Sequence, residues 1–407
     1  MLRVSDEVVF SWEANGSTLA AAHLRRRDAR LPLAEADFLA LEAIARIRGG
    51  ERAEVEADLA AGGIAADDAA AALDRLLAAG LVLPAEEPAR RDDYYMPMLY
   101  YHMFVDGLKT GAYLRALERR VRPGMRVLDV GAGVGIFSVA AAKLGAERVW
   151  AVESRAIVET ARALAIENGV AERIDFVRGD LFDPRVAARI GPVDLVVSEF
   201  IGDEIFDEEI LLKTVWMKDL YLEDAGPDGA RGRLLPRGLD AYAVPFECDV
   251  AVNRYRNRLD RVRASAAQWG IAATSVADLI AREGLRNDFS DRLYAQSFRE
   301  IAVEDFRFLG EPVLVHAADL ETCRRVFWKT RAELPLDRGG RLDGVLLYFV
   351  AHLDEETRIS SAPWLGRTHW PQVLYLRAGG ERRVAPGDVA DLPIAYTGGR
   401  GFTLALR

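Results

Sequence analysis

At 407 residues the chain is longer than one hydrophobic core usually supports, so two or three domains are expected. Half of it is apolar, yet a net charge of -10 and a pI near 5.3 disfavour nucleic acid as the partner, whose binders carry a basic face. Two cysteines without paired spacing, Cys248 and Cys323, exclude a disulfide framework, and His23, His102, His316, His352 and His369 are too scattered to suggest a metal site. Charges at Arg3, Asp6 and Glu7, and no run of about eighteen uncharged apolar residues, point to a soluble, cytoplasmic chain with no membrane partner.

In chain order, Val8 to Trp12, a turn at Asn15-Gly16 and a second run from Thr18 to Leu24 predict a hairpin. Helical spacing follows at Phe38, Leu41, Ile44 and Ala45, then at Val55 and Leu59, then at Leu73, Leu76 and Leu77, with glycine breaks at Gly49-Gly50, Gly62-Gly63 and Gly80. A hairpin with three short helices over 1–85 is the outline of a small winged helix. Through Ala85 there are nine Lys plus Arg against fourteen Asp plus Glu, which argues against a phosphate-contacting face. Peptide recognition and a structural cap both stay open. Pro84 to Asp93 reads as a linker.

Over 94–237 strands and helices alternate, which predicts an α/β, Rossmann-like domain with a mostly parallel sheet. Its strands are expected at Val127–Val130, Val149–Val152, Ile174–Val177 and Val193–Val197. Over 238–407 short alternating strands, among them Val345–Val350 and Val373–Leu376, predict a β-barrel, interrupted at 253–293 by a charged, helix-compatible arm.

The segment Arg126-Val-Leu-Asp-Val-Gly-Ala-Gly-Val-Gly135 is a buried strand entering a glycine turn and then a helix. Gly131 and Gly133 let the backbone pass close to a ligand, and Glu153, 22 residues past Gly131, suits two ribose hydroxyls. A dinucleotide enzyme shares that much. Asp129 just before the glycines suits a cationic amino-acid tail better than a pyrophosphate, and Asp180 after the third strand suits the amine of adenine, so the expected cofactor is S-adenosylmethionine rather than a nicotinamide.

After the fourth strand comes Ser198-Glu-Phe-Ile-Gly-Asp-Glu-Ile-Phe-Asp-Glu208, two carboxylates nine residues apart at the carboxyl end of the sheet. With Thr368-His369-Trp370 near the end of the predicted barrel, the chain from Tyr94 onward resembles the protein arginine methyltransferases. Met103, Asp106, Thr110 and Tyr113 fall on the spacing of that family's helical segment ahead of the glycine turn. The resemblance implies Glu199 and Glu208 as the clamp on the accepting nitrogen, a His369–Asp106 pair, Met103 beside the reacting nitrogen, Tyr94 and Trp370 at the substrate, and a homodimer formed through the arm. It also implies that Lys109 meets the cofactor carboxylate where the family has an arginine, a change that keeps charge and loses the bidentate fork. Tyr100, Phe182 and Asp203 depart from the family pattern as well, so the acceptor need not be arginine. Glu204 and Glu209 are expected to be solvated.

The N-terminal element order resembles the leader-recognition domains of enzymes that modify ribosomally made peptides. Together the two resemblances imply a daptide-type methyltransferase that dimethylates a C-terminal amine of a precursor peptide. A bacterial protein arginine methyltransferase is the alternative within enzymes. A catalytically silent cofactor-binding regulator with a DNA-binding winged helix is the alternative of another class.

Overall fold

The computed structural model describes residues 2–5, 8–13, 18–23, 30–47, 51–84, 97–222, 233–278, 301–366, 368–370, 373–377, 381–398 and 402–407. The N-terminal elements are strands β1 (Leu2–Val4), β2 (Val8–Trp12), β3 (Leu19–His23) and β4 (Arg30–Pro32), helices α1 (Glu35–Arg46), α2 (Arg52–Ala61) and α3 (Ala66–Ala78), and strand β5 (Val82–Pro84). The expected hairpin is β2–β3, which gains β4 as a third strand, while β1 pairs with β5. Phe38, Leu41 and Ile44 of α1 lie one helical turn apart and are buried with Val55, Leu59, Leu73 and Leu76, which is why three short helices hold together.

This module is docked on the rest of the chain. Glu42 of α1 is buried and accepts the N–H groups of Val326 at 2.7 Å and Phe327 at 3.2 Å. Its second oxygen meets Arg325 at 3.0 Å. The indole N–H of Trp12 donates to the Thr403 carbonyl at 3.2 Å, and that of Trp216 to the Arg46 carbonyl at 2.6 Å.

Helices α4 (Pro97–Val105) and α5 (Gly107–Arg120) lead into strand β6 (Arg126–Val130), helix α6 (Ile136–Lys143), strand β7 (Arg148–Glu153), helix α7 (Val158–Glu167), strand β8 (Ile174–Arg178), helix α8 (Pro184–Ile190), strand β9 (Leu195–Ser198), helix α9 (Ile210–Tyr221) and strand β10 (Leu234–Leu235). The parallel sheet runs β10-β9-β6-β7-β8. β6, β7 and β8 cover the segments the sequence marks, while β9 begins at Leu195, two residues later than expected; the Val and Leu runs of β6, β7 and β9 are buried, as suits a covered parallel sheet. The chain moves outward from β6 to β8 and then returns to β9 beside β6. That reversal opens a crevice at the carboxyl ends of β6 and β9, where such folds bind ligands.

The C-terminal part is antiparallel. Strand β11 (Gly238–Glu247) precedes helix α10 (Asp249–Trp269), and strands β12 (Arg307–Phe308), β13 (Val313–Asp319), β14 (Trp328–Pro335), β15 (Gly340–Arg341), β16 (Gly344–His352), β17 (Arg358–Ser360), β18 (Val373–Leu376), β19 (Arg383–Val384), β20 (Val389–Tyr396) and β21 (Phe402–Leu404) follow. The larger sheet pairs β11 with β12, β13 and β16, and β16 with β17 and β18; a second sheet runs β14-β20-β21. The expected arm begins earlier than its charge pattern suggested, because α10 starts at Asp249. Residues 279–293 of that arm lie outside the described residues. Among the described residues no helix is long and apolar enough to cross a membrane.

Candidate active site

The glycine turn after β6 is built as its sequence requires. Gly131, Gly133 and Gly135 have φ of 69°, 53° and 82°, the left-handed region that side chains avoid. A Cβ on Gly135 would lie 2.7 Å from the Ala161 Cβ, so this glycine sets how closely α6 packs on α7. Asp129 is buried at the end of β6 and accepts the Ser138 hydroxyl at 2.6 Å. Burial, reinforced by the charge of Glu153, pushes its carboxyl up to about 6 against the hydrogen bonds from Ser138. Glu153 ends β7 and accepts the N–H groups of Gly133 at 3.1 Å and Arg155 at 2.9 Å. A carboxylate has about four acceptor sites, so Glu153 keeps capacity for a ribose hydroxyl. Asp180 is exposed beyond β8 and accepts the Phe182 N–H at 2.9 Å. A close-approach turn and carboxylates at the ends of three adjacent strands suit an adenosyl ligand with a cationic amino-acid tail.

The junction between α4 and α5 supplies the second wall. Asp106 caps α5 by accepting the Lys109 N–H at 2.9 Å. Its other oxygen accepts both the backbone N–H and the ring Nδ1 of His369, each at 2.8 Å. Burial alone would raise this carboxyl, but hydrogen bonds from the His369 ring, the Lys109 N–H and the His369 N–H bring it down to about 2. It is therefore a carboxylate near neutrality, Nδ1 must carry the shared proton, and Nε2 is the ring nitrogen left to take another. Met103, half-buried on α4, gives its carbonyl to the Thr110 hydroxyl at 3.4 Å. The Tyr113 hydroxyl donates to the Ser198 carbonyl at 3.0 Å, which ties α5 to the end of β9.

The double-glutamate loop starts where β9 ends. Glu199 accepts the Ile201 N–H at 3.1 Å, and its Oε2 lies 3.3 Å from the Lys109 ammonium in a pair with little solvent access. Glu208 is exposed at the far end. Between them the loop doubles back: a Cβ on Gly202 would fall 1.6 Å from Asp207 Oδ1 and 2.9 Å from Glu208 Cγ. That fold carries the stem of Glu208 back over Gly202.

Asp106, Lys109, Glu199 and His369 are thus linked to one another, while Asp129 and Glu153 stand at the ends of the neighbouring strands β6 and β7. Three placements differ from expectation. Trp370, expected at the substrate, is 3% exposed and donates its indole N–H to the Ile201 carbonyl at 2.6 Å, so it braces the loop. Glu204, expected in solvent, is 3% exposed and accepts the Tyr375 hydroxyl at 2.9 Å. Lys109, expected at the cofactor carboxylate, has its ammonium on Glu199. Tyr94 lies outside the described residues. Ser138 and Tyr375 went unremarked in the sequence; only the position of Ser138, one turn into the helix after the glycines, offered a signal.

Residues 109–211 match the family model described as ribosomal protein L11 methyltransferase (PrmA). The chain is 27% identical over 301 residues to protein arginine N-methyltransferase 6 of Danio rerio, covering 70% of this chain and 78% of the relative. It is 25% identical over 312 residues to protein arginine N-methyltransferase PRMT10 of Oryza sativa subsp. japonica, covering 70% and 78%. The chain is an S-adenosylmethionine-dependent methyltransferase. Its fold is that of the protein arginine methyltransferases. The structure of protein arginine methyltransferase 10 of Arabidopsis thaliana superposes with a TM-score of 0.60 at 21% identity, covering 74% of this chain and 87% of that one. The Trypanosoma brucei PRMT1 enzyme-prozyme heterotetrameric complex with AdoHcy gives 0.62 at 20% identity, covering 77% and 94%.

Proposed function

We propose that this methyltransferase modifies a guanidinium nitrogen of arginine in a protein or peptide. The observation that carries the reading is the loop from Glu199 to Glu208, folded back on itself at the carboxyl end of β9 with the Asp106–His369 pair beside the same crevice. When bound, the cofactor supplies a methyl already activated on a sulfonium. A guanidinium, with a pKa above about 12, has almost no neutral form at pH 7. Glu199 and Glu208 orient it and draw positive charge away from the attacking nitrogen, and His369, held by Asp106, takes the released proton at Nε2. The relatives favour this reading over a peptide amine.

One observation speaks for the amine. Lys109 and the Ile201 N–H already engage both oxygens of Glu199, and a primary amine asks less of that carboxylate than a bidentate guanidinium. Mass spectrometry of matched peptides bearing arginine, lysine or a C-terminal aminoalkyl group decides between them. Methylation confined to arginine supports the reading; two methyls on the terminal amine overturn it in favour of the daptide-type one. The same proposal treats 1–85, 94–237 and 238–407 as the peptide-facing, cofactor and substrate domains, and the arm as a homodimer contact. Light scattering at micromolar concentration tests the last point.

A further inference from the structure

Three aromatic side chains of the C-terminal part grip the loop between its two outer glutamates. Trp370 donates to the carbonyl of Ile201 at 2.6 Å, Tyr375 to the Glu204 carboxylate at 2.9 Å, and Tyr396 to the carbonyl of Phe206 at 2.7 Å. Two of these bonds end on backbone, which any sequence supplies. The middle one requires a particular side chain at 204 and a hydroxyl at 375.

Glu204 also sits beside a strained residue of the loop. Ile205 has a φ of 65°, in the left-handed region that a β-branched residue seldom enters. Phe206 N–H returns to the Glu204 carbonyl at 2.7 Å across that single residue, a tight three-residue turn of the rare strained form. Strain of this kind persists only where the surroundings over-determine it. A carboxylate with 3% exposure bonded to a buried hydroxyl is such a constraint, because an unbonded buried carboxylate is costly and is relieved by moving. The loop has Glu199 at one end of this pinned turn and Glu208 at the other.

We propose that Glu204 and Tyr375 are positioning residues for the methyl transfer: their buried hydrogen bond fixes the strained turn at Ile205 and with it the placement of Glu199 and Glu208 about the accepting nitrogen. Neither touches the acceptor. This rests on the reading of Glu199 and Glu208 as the groups that hold it.

The test is Tyr375→Phe, which removes one oxygen from a buried ring, together with Glu204→Gln, which keeps an acceptor, and Glu204→Leu, which does not. Steady-state turnover is measured on an arginine-containing peptide, S-adenosylhomocysteine binding by calorimetry, and amide exchange across 199–208 by mass spectrometry. Tyr375→Phe is expected to lower kcat by roughly tenfold to a hundredfold, the scale of a misplacement near 1 Å, with cofactor affinity unchanged. Faster exchange is expected within the loop alone, and Glu204→Gln is expected to restore most of the turnover that Glu204→Leu loses. A Tyr375→Phe enzyme with kcat within twofold of the parent overturns the inference, as does unaltered loop exchange if the peptide is not accepted. Glu199→Gln measured alongside separates the two claims. If it keeps full turnover the acceptor reading fails, whereas an inactive Glu199→Gln beside an unaffected Tyr375→Phe removes only the positioning role.

Discussion

Asp106 and His369, 263 residues apart in sequence, are joined twice, because one carboxylate oxygen accepts both the backbone N–H and the ring Nδ1 of the histidine at 2.8 Å. The double attachment fixes the ring tautomer and the path of the segment carrying Trp370 at once.

The first prediction follows from that pair. Asp106→Asn has an amide that can face either way and no charge, so His369 loses its fixed tautomer; kcat is expected to fall by about a hundredfold, the lower range for a lost proton-transfer partner. The folded-state carboxyl is depressed to about 2, so its stabilisation is present above the unfolded value and is lost as pH falls through the folded one. It amounts to about 2 kcal/mol at most. Thermal melts of parent and variant should therefore differ above about pH 4 and converge near pH 2. Parallel melting curves across that window would refute the assignment.

Asp129 has the opposite sign. Its carboxyl is raised to about 6 by burial, so the stability linked to its protonation is complete below the unfolded value and is lost as pH rises through about 6. Ligand binding runs the other way, since the ionised form attracts the cationic amine of the cofactor tail. Affinity for S-adenosylhomocysteine, measured by calorimetry, should weaken about tenfold between pH 7 and pH 5, where only about a tenth of such a group is ionised. Asp129→Asn should bind weakly at both pH values. A pH-independent parent would show that Asp129 does not face the amine.

Two glycine substitutions should separate folding from catalysis. The Cβ added by Gly135→Ala meets the Ala161 Cβ at 2.7 Å, which is expected to lower stability by about 1–3 kcal/mol in chemical denaturation. The Cβ added by Gly202→Ala meets the Asp207 carboxylate at 1.6 Å inside the loop. That variant should still melt cooperatively and bind S-adenosylhomocysteine, while turnover falls to background. Weakened cofactor binding in Gly202→Ala would mean that the loop and cofactor site are not separable.

These contrasts mark what the sequence carried. The glycine turn, Asp129, Glu153 and the strands were legible because strand burial and turn chemistry are local, and the loop glutamates were legible through spacing. Glu204 was not: its environment depends on a tyrosine 171 residues away, and an acidic residue among four others in a loop reads as solvated by composition alone. Trp370 was legible as part of a motif but not in its role, since the direction of an indole N–H is a tertiary fact. The attachment of the N-terminal module was likewise invisible, because its partners at Val326 and Phe327 lie 284 and 285 residues from Glu42.

That attachment changes what truncation should do. From the sequence, the segment before the polar linker is either a peptide-recognition module or a structural cap. In the structure α1 buries Phe38 against Phe327, with ring centroids 6.0 Å apart, and Glu42 satisfies two backbone N–H groups of the body. Removing 1–84 would expose that apolar face and orphan those donors, so the truncated chain is expected to aggregate or to melt well below the parent. Glu42→Ala isolates the polar part: it leaves the Val326 and Phe327 N–H groups without this acceptor and should cost about 1–3 kcal/mol in chemical denaturation. Cofactor affinity should survive, because Glu42 lies on the docking face and not among the groups at the ends of β6 and β7. If instead the truncated chain stays monomeric and melts with the parent, the module is an independent unit. Its part in capturing a peptide can then be measured directly, by comparing the affinity of a long substrate for the two forms.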